Sequence, residues 1–171
     1  MQTAERGPSV AIPNRLLQLS TQTTEGETEM HSPILQPALA LVAWSLVMLV
    51  WMIVVRMPAM KKAGIDVNKA TGGHPGALDG VIDAKAQWPA QNYMHLMEQP
   101  TLFYAVVFIL ALQGAGGGWN TTLAWAYVIV RILHSLVQAT FNRIIVRFTL
   151  WALSTLALVA LTLHSAMVMW H

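Results

Sequence analysis

Arg131, His134, Ser135, Gln138 and Asn142 fall at i, i+3, i+4, i+7 and i+11 within an otherwise apolar run, residues 127–147. On a helix that spacing puts them along one face. A charged stripe inside a membrane helix costs roughly 2.5–3.5 kcal/mol per arginine unless it faces water or a partner. Its chemistry is that of an anion site. Guanidinium groups hold carboxylates through paired hydrogen bonds. A desolvated cation beside a thiol also favours the thiolate, whose ordinary pKa is about 8.5.

A second set precedes it. Asn92, His95 and Glu98 step three residues at a time and share an arc of one helix. Glu98 is the one acid within an apolar span, and an arginine of another helix is its expected partner. A structural Arg–Glu pair is the plainer alternative. Pro100 follows and is expected to bend the helix or mark its mouth. Arg56 and Arg147 sit at span ends, where arginines also serve as snorkelling anchors, the reading preferred for Arg143.

These residues need apolar elements to hold them. The chain has 171 residues, 55% hydrophobic and 11% charged, against about a quarter charged in soluble domains. It reads as one membrane domain, all-α. Four spans are expected, over 34–57, 91–113, 121–141 and 145–170, each near the roughly 20 residues a bilayer requires. Asn120, Thr121 or Thr122 is expected to cap the third. The fourth carries Ser154, Thr155 and Thr162, which can bond to their own backbone or to neighbours, and His164, read as an interfacial or packing residue. Residues 58–88 read as a polar, glycine-rich loop whose TGGHPG lacks the ending of a phosphate loop. His74 there has no partners at metal-ligand spacing, and no metal is expected.

Residues 1–31 read as a polar, disordered tail with no signal-peptide pattern. Met30, just before the first span, is a candidate physiological start. With no cysteine, a thiol would have to come from a ligand. The net charge of +2 gives no case for nucleic acid as a partner.

Lys and Arg set the expected orientation. Arg56, Lys61, Lys62, Lys69 and Lys85 lie in or beside the first loop, and Arg143 and Arg147 beside the third. The second loop has none. The positive-inside rule then makes loops one and three cytoplasmic and both termini external. Arg56, Asn92, His95, Glu98, Arg131, His134, Gln138, Asn142 and Arg147 are expected to converge at the cytoplasmic side.

AYVIVRILHS in the third span resembles the aromatic-x-x-x-Arg-x-x-His-[Ser/Thr] pattern of the MAPEG family, the membrane-associated proteins in eicosanoid and glutathione metabolism. NYMHLMEQPTLFY resembles the family's Asn…Glu…Pro-x-Leu-Phe segment. The resemblance covers residues 34–170. It implies a homotrimer of four-helix protomers, with glutathione bound between subunits near the cytoplasmic side. Carried over by position, Arg131 and His134 contact glutathione, Arg56 and Asn92 bind it from the first two helices, and Arg147 stabilises the thiolate. His95, Glu98 and Gln138 complete the candidate glutathione-binding set.

The chain departs from the pattern at four places. Trp88 stands where the family has arginine, His95 where it has glutamate, and Gln138 where it has tyrosine. Phe148 stands where some catalytic members have serine. Glu98, one turn on, can substitute for the displaced glutamate and hold the amino group of the tripeptide.

The leading functional expectation is a glutathione-dependent transferase or peroxidase acting on a lipophilic electrophile drawn from the bilayer. The alternative is a non-catalytic MAPEG-like protein binding lipid or protein partners, which the departures favour. A small channel comes third, because the stripe does not continue across spans one and four. Short loops and the lack of targeting segments are compatible with a bacterial inner membrane.

Overall fold

The computed structural model describes residues 32–74 and 76–170. The expected polar tail, Met30 included, lies outside the described residues. Four helices form in chain order: α1 (Leu35–Lys62), α2 (Ala84–Leu112), α3 (Trp119–Thr140) and α4 (Ile144–Trp170). Each is long and apolar enough to cross a membrane. At 1.5 Å rise per residue the shortest, 22 residues, reaches about 33 Å, the thickness of a hydrocarbon core.

Two boundaries differ from the sequence reading. α1 passes through Pro58 and ends on Lys61 and Lys62, whose charges suit a helix C-terminus. α2 begins seven residues before the expected span, because Asp83 caps it: its Oδ1 accepts from the Lys85 amide at 2.9 Å. Pro58 and Pro89 each remove one backbone donor near a helix end, too little to stop the helix. The irregular first loop is therefore shorter than expected, covering residues 63–83.

The start of α3 also departs from expectation. Gly118, at φ 57°, is its N-cap residue, and no side chain caps it. Asn120 and Thr121 instead donate backwards to the carbonyls of Ala115 and Gly116, at 2.6 Å each, and Thr122 donates to Gly118. They tie down the glycine-rich hairpin rather than the helix end.

The core lies around α3. Half of its most apolar stretch is buried, against 22% for α1 and 17% for α4, so α1 and α4 leave most of their apolar surface uncovered by the chain itself. α4 packs chiefly on α3, and α1 chiefly on α2; α1 and α4 do not pack together. Phe103 of α2 stacks on Tyr127 of α3 at 4.2 Å between ring centres, amid Leu41, Met48, Leu96, Val107, Leu110 and Leu161.

Polar cross-links fix which ends meet. The Ile34 amide donates to Gly116 O, joining the start of α1 to the α2–α3 hairpin. Gln113 bonds with Ser165, and Asn120 with His164, at that same end. His164 is thus a partner of the α3 start as well as a packing residue. At mid-helix, Gln99 donates to Thr155 at 2.8 Å. The end of α1 and the starts of α2 and α4 gather with the end of α3 at the opposite end, which carries the chemistry-bearing residues.

Candidate functional site

α3 presents Arg131, His134, Ser135 and Gln138 inward, all buried. The stripe ends there as a helical feature. α3 stops at Thr140, and Asn142 is in the turn beyond, at φ 49°, a left-handed conformation that asparagine tolerates better than most residues. That turn lets Asn142 meet α4: its Oδ1 accepts from Arg147 Nη1 at 2.7 Å.

Arg147 reaches α2 as well. Its Nη2 lies 3.5 Å from His95 Nε2. His95 Nδ1 is 3.0 Å from Glu98 Oε2, one turn along the same helix. Glu98 therefore pairs with a histidine of its own helix, not with the arginine of another helix expected from the sequence. With Glu98 as a carboxylate and His95 neutral, this geometry has Nδ1 donating to Glu98 and Nε2 facing the Arg147 guanidinium. The His95 and His134 rings meet edge to face, with centres 6.3 Å apart.

His95, His134, Ile144, Arg147, Phe148 and Trp151 line a cavity of about 230 Å³. One wall carries two imidazoles and a guanidinium. The other is apolar, with Phe148 stacked on Trp151 at 6.0 Å. Sequence reasoning misses Phe148, Trp151 and Ile144 as site walls. Their signal is their position one, four and three residues from Arg147, on adjoining faces of α4.

Arg131 is deeper, 2% exposed. Its Nε donates to Tyr127 Oη at 3.2 Å, and its guanidinium lies 5.5 Å from that ring's centre. Among the described residues no acid pairs with it. A buried cation satisfied only by a neutral phenol is costly. Its field reaches the cavity past His134, one turn away, through a medium that screens little. Tyr127 belongs to the site as the residue that holds Arg131, a role signalled by its spacing of four residues.

The nine candidates thus fall into three groups. His95, Glu98, His134, Asn142 and Arg147 come together at or beside the open cavity. Asn92, Arg131 and Gln138 are closed inside the helix bundle, with both amide atoms of Asn92 and Gln138 and the Nη2 of Arg131 lacking any hydrogen-bond partner. Ser135 Oγ shares that condition. Arg56 is elsewhere. It lines a separate cavity of about 220 Å³ with Asp79, Gln87, Gln91 and Tyr93, where the first loop is tied to α2 by Gln87 donating to Leu78 O.

Glutathione fits the donor set in part. Orphaned donors and acceptors on α2 and α3, together with Arg131 and Arg147, neither of which is paired with a carboxylate among the described residues, suit a peptide bearing two carboxylates. The cavity itself is smaller than a typical small-molecule pocket of about 300–1,000 Å³, so it has room for only part of such a ligand.

Comparison with curated proteins and with solved structures gave no match. The family model described as the MAPEG family matches residues 34–167, nearly all of the four helices. This chain is a multi-pass integral membrane protein and belongs to the MAPEG family.

Proposed function

We propose that the chain is a glutathione-dependent transferase or peroxidase acting on a lipophilic electrophile. The observation that carries this reading is the placement of Arg147. Asn142 holds one of its terminal nitrogens and His95 lies 3.5 Å from the other, while Phe148 and Trp151 give the cavity an apolar wall. A fixed guanidinium at the edge of a cavity with an apolar wall stabilises a thiolate without reorganising, and fixed charges and dipoles of this kind usually contribute more to catalysis than any other effect.

In this reading the thiol end of glutathione enters the cavity beside Arg147 and His134. Arg131 adds positive potential from behind, and Glu98 takes the amino group. Asn92, Gln138 and Arg56 bind the remainder as the helices adjust, with a second copy of the chain in a homotrimer completing the site. The electrophile arrives from the bilayer along the exposed apolar faces of Ile144 and Phe148. Loops one and three face the cytoplasm and both termini face outward, as the lysine and arginine distribution favours.

The second reading is a non-catalytic MAPEG protein that binds lipid or protein partners. The enclosure of Asn92, Arg131 and Gln138 favours it, because a ligand reaches them only after helix movement. Purified protein in detergent, titrated with glutathione while ultraviolet thiolate absorbance and conjugation of an aryl halide are followed, separates the two. Thiolate formation and turnover support the enzyme. Neither signal, with Arg147→Ala and Arg131→Ala indistinguishable from wild type, supports the second reading.

A further inference from the structure

His95 occupies an unusual position for a helix residue in an apolar span. It touches three chemically distinct groups on three helices: Glu98 on its own α2, His134 on α3, and Arg147 on α4. These are the charged and titratable groups facing it among the described residues; Arg131 is one turn behind His134. Glu98 Oε2, at 3.0 Å, fixes the tautomer by accepting from Nδ1. The lone pair on Nε2 then faces Arg147, at the edge of the cavity that both residues line. Its contact with Arg147 Nη2, at 3.5 Å, is at the long limit for a hydrogen bond, so a thiol entering the cavity beside both groups can displace it. A carboxylate that orients an imidazole and supports its cation is the arrangement by which a histidine accepts a proton.

We propose that His95 is the base that takes the proton of the bound thiol, with Glu98 as its positioning residue. The inference rests on the glutathione-dependent reading above and assigns within it a role that Arg147 cannot fill. A guanidinium stabilises a thiolate but has no lone pair to accept the proton. In the step, the S–H bond breaks and an N–H bond forms at His95 Nε2, with the electron pair left on sulfur. The thiolate and Glu98 then flank the two cations, Arg147 and protonated His95, two negative and two positive charges in all, so the site gains no net charge. In reaction with an aryl halide, sulfur bonds to the ring carbon and the halide departs with its electron pair. His95 then gives the proton to water.

A base controls how fast the thiolate appears; a fixed cation controls how much is present at equilibrium. Rapid mixing of glutathione with the full chain in detergent reads both from one absorbance trace. His95→Gln is expected to slow thiolate appearance about 100-fold, within the range of general-base contributions, while keeping most of the final amplitude. Glu98→Gln, which keeps an acceptor for Nδ1 but removes the charge, is expected to slow it by a smaller factor. His95→Ala is expected to recover rate when imidazole is added. That rescue would not follow from a misfolded protein or from a packing role.

Wild-type rates in both His95 variants overturn the proposal and leave the glutathione reading standing. So does a loss of amplitude without a loss of rate, which would make His95 a ligand-binding residue only. Loss of both rate and amplitude with no imidazole rescue in His95→Ala overturns it as well. No thiolate in the wild-type protein overturns the proposal together with the reading on which it rests.

Discussion

Arg147 and His95, fifty-two residues apart in the chain, face each other across α4 and α2 with Nη2 and Nε2 3.5 Å apart. This contact joins the basic start of α4 to the one carboxylate within the spans, through Arg147, His95 and Glu98. It also sets the edge of the cavity. The guanidinium is held from its other side by Asn142, so its direction is set by two helices and a turn.

Asn142→Gly removes that second hold while keeping the left-handed backbone of the turn. Hydrogen bonds to charged groups contribute about 1.5–3 kcal/mol, so a freed Arg147 should stabilise a thiolate roughly tenfold less well. Glutathione titration at fixed pH reads this as a weaker thiolate signal. An unchanged signal would mean that His95 alone positions the guanidinium.

Tyr127→Phe removes the sole hydrogen bond to the buried Arg131 side chain among the described residues, while keeping the stack on Phe103. It is expected to destabilise the protein by about 1.5–3 kcal/mol, the contribution of a hydrogen bond to a charged partner. Thermal unfolding in detergent should fall accordingly. Phe103→Leu, which keeps the volume roughly but loses the ring stack, should cost about 0.5–1.5 kcal/mol.

The opposite end of the bundle supplies a contrast. Asn120 bonds both Ala115 O and His164, and touches no part of the cavity. Asn120→Ala leaves a hairpin carbonyl and a histidine without their partner. It should lower the unfolding temperature while leaving the thiolate signal of folded protein unchanged. A lost signal in folded protein would show coupling between the two ends.

Much of this architecture is legible in the sequence. The four apolar runs, their order and the inward face of α3 follow from period and length. The helix ends do not, since the glycine-rich run read as a loop over residues 58–88 begins at Pro58, and Pro58 and Pro89 each cost only one hydrogen bond near a terminus. Counting alone puts Asn142 on the helical stripe, but α3 ends two residues before it. The pairing of His95 with Glu98 is implicit in their three-residue spacing. That Arg56 lines a different cavity depends on how α1 and the first loop pack, which no local pattern encodes.

Orientation is directly testable because the chain has no cysteine. Lys69→Cys in the first loop and Gly117→Cys in the α2–α3 hairpin give single thiols at opposite ends. Gly117 has open space around an added Cβ and an ordinary φ, so the change is tolerated. A membrane-impermeant maleimide applied to sealed cells should label the Gly117→Cys variant and spare Lys69→Cys. The reverse pattern would invert the topology.

In the proposed function, stabilisation of a thiolate by Arg147, in the cavity it shares with His95 and His134, is where binding and chemistry meet. Removing one fixed donor of this kind typically costs about 10²–10³-fold in rate. Glutathione titration of wild type, Arg147→Lys and Arg147→Ala in detergent, followed by ultraviolet thiolate absorbance with aryl-halide conjugation measured in parallel, tests it most directly. Wild type should give a saturable thiolate signal and Arg147→Lys a weakened one. Arg147→Ala should give none, with conjugation lowered about 100-fold. A wild-type signal that persists in Arg147→Ala, or no signal in wild type, would contradict the role assigned to Arg147.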